Sequence, residues 1–364
     1  MTRNLTLSAT DRLLVFAPHP DDETLATGEL IQLAVRSGTV VRVVFATDGD
    51  NNPWPQRWFE RRLHIGEEER ARWGARRRGE AEAALRNLGV DRGAARFLGW
   101  PDLGLTQKLV QDDEAIGVIA AELREFAPTH VAMPSLRDRH PDHGALRVMV
   151  DLALAKTHCS AVRLGYVVHG RTPDADGWRL AADPARHTRK REALLAHASQ
   201  VGLSRRRLLR WADQAESFDR TEESPAAIPP ASADRILRIP LLPAHRFWRQ
   251  HEVLIVLAHA KGHGKIERAC VRLPRLIRPD TEQVLAQGCC SGNVRVELVR
   301  GQLKITFAAN TDGAPSGYIK LERTWPRVII FDADTWQRLE DFPTLPGADP
   351  EQAKPVHAPQ RAPV

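Results

Sequence analysis

The sequence has few cysteines and no long apolar run. Only 4 of its 364 residues are cysteine; Cys159 and Cys270 lie far apart, and the adjacent Cys289 and Cys290 are poorly placed to bridge each other. We therefore expect no disulfide framework. No stretch approaches the ~20 consecutive apolar residues of a membrane-spanning helix, and the opening MTRNLTLSATDR lacks the apolar centre of a secretory signal. These absences predict a cytoplasmic protein without a transmembrane segment.

The composition shows no bias towards disorder or towards a fibrous repeat. Hydrophobic residues make up 42% of the chain and charged residues 27%, which is close to the average of globular proteins. No internal repeat is visible. A chain of this length is expected to form two domains.

The balance of charge is basic, with a formal net charge of +6 at pH 7. A positive field attracts polyanions at long range. The arginines are, however, interspersed with acids, as in residues 57–78, which also contain Glu60 and Glu67–Glu69. Such a mixture is typical of a solvated surface, so we do not expect a nucleic-acid partner.

Short apolar runs alternate with segments of helical periodicity from residue 12 to about residue 200. This alternation predicts an α/β fold, with a Rossmann-like, mostly parallel sheet and helices on both faces. The predicted strands are Leu13–Ala17, Val40–Ala46, Arg96–Leu98, His130–Met133 and Leu164–Val168. The predicted helices are Glu23–Val35, Arg77–Leu88, Asp112–Phe126 and Ala145–Leu154.

Changes in composition suggest the domain boundaries. We interpret residues 1–220 as one α/β domain and the Pro-, Ala- and Ser-rich residues 221–244 as a linker. Residues 245–346 contain strand-length runs separated by turns with glycine, which predicts a smaller antiparallel β domain. Residues 347–364 are predicted to be disordered. Residues 49–75 form a long Trp- and Arg-rich insertion, and whether it acts as a lid is left open.

The motif HPDD follows the first predicted strand. His19 and Asp22 stand three residues apart with a proline between them, so one nitrogen and one oxygen can point to a common centre. Imidazole with carboxylate suits a divalent transition metal, zinc above all.

A third ligand is available in HPDH, which follows the strand His130–Met133. His140, Asp142 and His143 lie there, again between a strand and a helix. Three protein ligands with a fourth position for water are typical of a catalytic zinc site. Each motif alone could also be a helix cap or an ordinary polar turn. Their occurrence at two junctions of one sheet favours the metal site.

APHPDDE followed by HPDH resembles the zinc-dependent de-N-acetylases of the PIG-L/LmbE superfamily. Three further segments are similar to parts of that family: RRGEAEAALRNLG, GWPD and KREALLAHASQ. The resemblance covers roughly residues 10–215. It implies a hydrolase that uses Zn²⁺, or another divalent transition metal, to remove the acetyl group from an N-acetylglucosamine-type amino sugar.

The resemblance also implies a role for individual residues. His19, Asp22 and His143 would be the metal ligands, Asp21 the general base, and His140 the group that meets the oxyanion if it is protonated. Asp142 would orient one of the histidines.

Substrate contacts are implied as well. Asp102 of the GWPD segment would contact the sugar, as would Arg77 or Arg78, with Arg77 favoured. Some members of the thiol-cofactor branch have tyrosine where this chain has Asp138. That difference weakens the case for a pseudodisaccharide thiol precursor as substrate, and Asp138 could help keep His140 protonated.

The substrate is expected to be a small-molecule or lipid-linked amino sugar, with a nucleotide, lipid or glycan as the linked group. Two alternatives stay open: an N-acyl amidase for a natural product or other amide, and a carbohydrate- or nucleic-acid-binding protein with a vestigial metal site. Asp21 separates them, because a binding protein needs no base. The oligomeric state is not predicted.

Overall fold

A computed structural model describes most of the first 220 residues and several segments beyond them. The described residues are 3–170, 177–220, 235–240, 251–258, 266–273, 282–289, 294–307, 316–323, 331–332 and 334–339. Most of the predicted linker, residues 221–234 and 241–244, and the predicted tail, residues 347–364, lie outside them.

Helices and strands alternate up to residue 166, and the elements beyond residue 217 are strands. The helices are α1 Asp22–Arg36, α2 Pro53–Glu60, α3 Glu67–Asn87, α4 Leu105–Gln111, α5 Ala115–Phe126, α6 Pro141–Thr157, α7 Pro184–Ala196 and α8 Ala198–Ala212. The strands are β1 Arg3–Asn4, β2 Arg12–Ala17, β3 Val40–Thr47, β4 Ala95–Trp100, β5 His130–Pro134, β6 Val162–Tyr166, β7 Gly177–Arg179, β8 Ser217–Arg220, β9 Arg235–Pro240, β10 His251–Ala258, β11 Ile266–Arg272, β12 Gln283–Cys289, β13 Val294–Val299, β14 Gln302–Phe307, β15 Ser316–Arg323 and β16 Gln337–Arg338.

The first eight strands form one sheet in the order β1-β7-β8-β6-β5-β2-β3-β4. Strands β2 to β6 run parallel, whereas β8 is antiparallel to β6 and β7. The predicted Rossmann-like, mostly parallel sheet is therefore confirmed. The chain order reverses between β2 and β5, and this switch point is where open α/β sheets bind ligands.

Two apolar cores lie on the two faces of this sheet, as the α/β prediction requires. Leu13 and Val15 of β2 pack into one core with α1, α3, α7 and α8, and Leu14 and Phe16 pack into the other with α4, α5 and α6. The run LLVFA is continuously apolar because both of its faces are buried.

The predicted helix Arg77–Leu88 begins much earlier, at Glu67. Glu69 accepts a hydrogen bond from the backbone N–H of Gly66, and three glutamates occupy the first turn, where they complement the helix dipole. The region 49–75 thus contains α2 and the start of α3.

The short helix α4 was not predicted. α5 begins at Ala115 rather than at Asp112, because the Asp112 carboxylate accepts the N–H groups of Glu114 and Ala115.

The C-terminal strands form two antiparallel sheets, β11-β10-β15-β16 and β12-β13-β14-β9, which confirms the predicted antiparallel β fold there. Their shared core includes Val253, Ile255 and Leu257 of β10. The alternate residues Leu254 and Val256 face the helical core around α6. Arg235–Pro240, assigned to the linker from the sequence, is instead a strand, because its backbone pairs with β14 along its whole length.

Asp151 joins the C-terminal sheet to helix α6. Its carboxylate accepts hydrogen bonds from Arg147 at 2.7 Å, from the Tyr318 hydroxyl at 2.8 Å and from Arg338 at 3.3 Å. Trp336 is 2% exposed and packs close to Gly144 of the same helix. The sheet is thereby fixed to the helix that begins in the HPDH motif.

No helix among the described residues is both long and apolar enough to cross a lipid bilayer.

We expect Tyr318→Phe to lower the free energy of unfolding by about 1.5–3 kcal/mol, because a buried carboxylate loses a donor. Tyr166→Phe is the matched variant: its hydroxyl donates to the neutral carbonyl of Phe16, so its loss should cost only about 1 kcal/mol. Denaturant unfolding measures both. A loss for Tyr318→Phe no larger than that for Tyr166→Phe would contradict this role of Asp151.

Candidate metal centre

The HPDD and HPDH motifs meet at the switch point of the sheet. The first follows β2 and leads into α1, and the second follows β5 and leads into α6. Pro141 occupies the first position of α6, where a missing N–H costs nothing. The His140 ring accepts the Asp142 N–H at 3.3 Å and so caps the helix.

The three predicted metal ligands converge. The Asp22 Oδ2 atom lies 3.1 Å from His19 Nδ1 and 3.1 Å from His143 Nε2. Ligand atoms about 2.0–2.1 Å from a tetrahedral cation are roughly 3.4 Å apart, so this spacing fits with a small contraction. His143 Nε2 is buried, and although Asp22 Oδ2 lies 3.1 Å away, the two atoms are not aligned for a hydrogen bond. A divalent cation at this point would satisfy that nitrogen.

Two further histidines border the same centre. Ring nitrogens of His19, His140 and His143 lie within 4.8 Å of one another, as do ligand atoms of Asp22, His143 and His169. The choice of His19, Asp22 and His143 as the ligand set therefore stays a prediction.

The surroundings of the centre are strongly negative. Burial disfavours the charged form of His143, but Asp138 and Asp22 outweigh this effect and raise its pKa to about 10. The same carboxylates favour a divalent cation. Because a cation must displace the proton from His143, its affinity should increase with pH.

The Asp138 carboxylate faces the His143 ring and orients it. It does not contact the His140 ring, which it was expected to keep protonated. Its Oδ2 atom lies 3.0 Å from His143 Nδ1 and accepts the N–H groups of Val168 and His169. Contact with His140 is through the backbone N–H of that residue. A carboxylate behind a ligating histidine fixes the ring and strengthens it as a ligand.

His140 is not kept protonated, contrary to the sequence-based expectation. Burial, together with His19, His143 and His169, holds its pKa well below the usual value. Since its Nδ1 accepts the Asp142 N–H, the proton of the neutral ring lies on Nε2. His140 can therefore act as a neutral donor.

Asp142 and Asp102 both lie against the His19 ring. Their carboxylates are 3.3 Å and 3.2 Å from His19 Nε2. Asp142 also accepts the N–H groups of Leu103 and Leu105, which fits the predicted orienting role. Asp102 was predicted to contact the substrate. Its side chain is buried against His19 and the Asn51 N–H, although it also borders the cavity described below.

Asp21 stands beside the three convergent residues in a strained backbone conformation, with φ of 137°. Burial raises its pKa to about 6, against the opposing charge of Arg77. Its carboxylate lies 3.4 Å from Arg77 Nη2. The Arg77 guanidinium also donates to the carbonyls of Gly49 and Pro20, both at 2.6 Å, whereas Arg78 pairs with Asp48. Arg77 thus braces the HPDD turn; its predicted substrate contact stays untested.

A cavity of about 470 Å³ opens above these residues. Its floor includes His19, Asp21, Asp22 and His140. Asn52, which caps α2, and three residues of α8 contribute to its walls, and so do two residues that follow β6 and one from the C-terminal part of the chain. The wall residues beyond the motifs include Asn52, Val168, His169, Gln200, Arg207, Leu208 and Phe331.

Residues 14–154 match the PIG-L family, described as GlcNAc-PI de-N-acetylase. A 1D-myo-inositol 2-acetamido-2-deoxy-alpha-D-glucopyranoside deacetylase of Mycolicibacterium gilvum (strain PYR-GCK) is 36% identical over 204 residues, covering 48% of this chain and 69% of the relative. The chain belongs to the PIG-L family.

Two further similarities cover about half of the chain or more. The deacetylase of the same name from Mycobacterium sp. (strain KMS) is 34% identical over 188 residues, covering 47% of this chain. The chain spans 59% of that relative's length. The crystal structure of a conserved protein of Thermus thermophilus is 25% identical, with a TM-score of 0.44, and covers 61% of this chain and 99% of that one.

Sequence reasoning missed several residues that line the cavity of this PIG-L protein, among them His169, Arg207 and Phe331. His169 follows β6 at the same edge of the sheet as the two motifs, so the end of that strand was a usable signal. Phe331 carries no motif, and it reaches the cavity only because the C-terminal sheet packs on α6.

We expect Asp138→Asn to weaken Zn²⁺ binding by about 10- to 100-fold, because His143 loses the carboxylate that orients it. Calorimetric titration of the metal-free protein measures the affinity. Asp183→Asn is the control: Asp183 caps α7, and asparagine caps a helix equally well. Equal affinity in the Asp138→Asn variant would show that this carboxylate does not support the metal centre.

Proposed function

We propose that this PIG-L protein is a metal-dependent hydrolase that removes the N-acetyl group from an N-acetylglucosamine-type amino sugar, with Zn²⁺ as its cofactor. The observation that carries the proposal is the buried convergence of His19, Asp22 and His143 beside a carboxylate, Asp21, that is not part of the convergent set. The names of the mycobacterial relatives, which are deacetylases of an amino-sugar glycoside, support the same reaction.

The chemical difficulty is that an amide is a poor electrophile and water a poor nucleophile. A bound Zn²⁺ ion would lower the pKa of water towards neutrality and polarise the carbonyl oxygen. His19 Nδ1, Asp22 Oδ2 and His143 Nε2 would hold it. Asp138 and Asp142 would keep the two imidazole rings in place.

Asp21 is the proposed general base. Asp21 lines the cavity, and its carboxylate takes the proton of the attacking water. The Arg77 guanidinium holds Asp21 in place, and the Asp21 N–H is bound to the Glu23 carboxylate at 2.9 Å. Once protonated, Asp21 can pass the proton to the departing amine.

His140 is the proposed oxyanion donor. With its Nδ1 occupied by the Asp142 N–H, the Nε2–H is left to face the tetrahedral oxyanion. The neutral ring can serve as this donor because the Asp142 N–H at Nδ1 keeps its single proton on Nε2. Removing one such donor typically reduces kcat by about 10²- to 10³-fold.

The linked group of the substrate is less constrained. Arg207 reaches the cavity wall, and no acidic partner is seen for it among the described residues. An anionic group on a nucleotide, a lipid or another carrier would pair with it. The relatives are named for an uncharged inositol glycoside, so both kinds of linked group are candidates.

We expect Asp21→Asn to lower kcat by about 10²- to 10⁴-fold while the bound metal stays at the wild-type level, because the base is lost and the ligands are kept. Release of primary amine from N-acetylglucosaminides measures the rate, and elemental analysis measures the metal. Asp183→Asn serves again as the control. Unchanged turnover would remove Asp21 from the mechanism.

Removal of the metal with a chelator should abolish amine release, and added Zn²⁺ should restore it. The thermal transition should also fall, since a ligand that binds only the folded state stabilises it by mass action. If the metal-free protein, checked by elemental analysis, is fully active, the proposed hydrolase is not metal-dependent.

A further inference from the structure

Phe331 belongs to the C-terminal part of the chain but lies at the cavity. It is outside the residues 14–154 that match the family, yet it lines the same cavity as His19 and Asp21. Its side chain is 37% exposed. One face of the ring packs on His169, with 5.1 Å between ring centroids.

Hydrogen bonds hold Phe331 in place relative to the HPDH turn. The N–H of Asp332 donates to the carbonyl of Arg139 at 2.8 Å, and the Arg139 side chain donates to the Asp332 carbonyl at 3.3 Å. The Asp332 carboxylate pairs with Lys320, which is 2% exposed. Because Arg139 directly precedes His140, the position of Phe331 is coupled to the metal centre.

Phe331 is more exposed than the motif residues that line the same cavity. His19, Asp22 and His140 are each at most 8% exposed. His169 lies between Phe331 and His143, with 5.1 Å between ring centroids at each step. A substrate whose amide lies at His19 and Asp22 would share the cavity with Phe331, so the group attached to its sugar can contact this ring.

We propose that Phe331 is a specificity-determining residue that packs its open face against a second ring linked to the amino sugar. The inference rests on the proposed deacetylation for the orientation of the substrate. The C–H face of a saturated ring, or the face of an aromatic one, removes apolar surface from water when it packs on phenylalanine. The substrate class is thus N-acetylglucosaminides that carry a ring as the linked group, in preference to the free sugar or a small alkyl glycoside.

The test compares phenyl and methyl glycosides of N-acetylglucosamine, both anomers of each, with the zinc-loaded full-length protein. The wild type should prefer the phenyl glycoside. Phe331→Ala should raise KM for the phenyl glycoside by about five- to tenfold, with KM for the methyl glycoside and kcat for both nearly unchanged. Phe331→Tyr, which keeps the ring, should retain the preference.

Phe59→Ala is the matched control, because Phe59 is 36% exposed and lies on α2 away from the cavity lining. It should leave the preference unchanged. A wild type without preference, an equal loss for both glycosides in Phe331→Ala, or no change in that variant would each overturn the inference.

Failure of the proposed function gives a different result. If the wild type releases amine from neither glycoside, deacetylation is contradicted, and the dissociation constants of the same glycosides then decide the role of Phe331. A phenyl-to-methyl ratio of dissociation constants that lies below one in the wild type and rises to unity in Phe331→Ala supports the contact. A ratio unaffected by the substitution, or no binding of either glycoside to the wild type, overturns it.

Discussion

The site depends on the burial of several carboxylates and imidazoles around one point. Asp22, Asp138, Asp102 and Asp142 are all 7% exposed or less, and each lies next to a ring nitrogen of His19 or His143. Taking so many charges out of water is costly unless they are paired, hydrogen-bonded or bound to a metal. The parallel sheet makes the arrangement feasible, because the carboxyl ends of β2 and β5 deliver both motifs to one crevice.

The surrounding structure supplies the hydrogen bonds that this cluster requires. Backbone N–H groups of Leu103 and Leu105 reach Asp142, and those of Val168 and His169 reach Asp138. These donors follow β4 and β6 in the chain. With the HPDD motif after β2 and the HPDH motif after β5, the site is therefore built from four strand ends.

The C-terminal sheet β11-β10-β15-β16 packs on α6 and lies next to this crevice. Asp151 and Trp336 join them to the helix, and Arg139 bonds to the segment that carries Phe331. The packing of the C-terminal part thereby determines one wall of the cavity. In the proposed role of Phe331, a region that lies outside the family match alters the choice of substrate without altering the proposed chemistry at the two motifs.

The sequence by itself determined the parallel sheet, the two motifs at its edge and the group of residues at the candidate metal centre, because period and spacing are local properties. The burial of a side chain, the tautomer of a histidine and the contacts between distant residues are not local properties, because they depend on the tertiary structure. Asp138 could be placed near the site from the sequence, but only the fold decided that it faces His143 and not His140. Arg77 and Asp102 were likewise predicted to lie at this crevice. In the folded protein their side chains contact other protein groups, Asp21 and two carbonyls for Arg77, and His19 and the Asn51 N–H for Asp102. Phe331 has no motif, and its position follows from how one sheet packs on one helix, which depends on contacts between residues far apart in the chain.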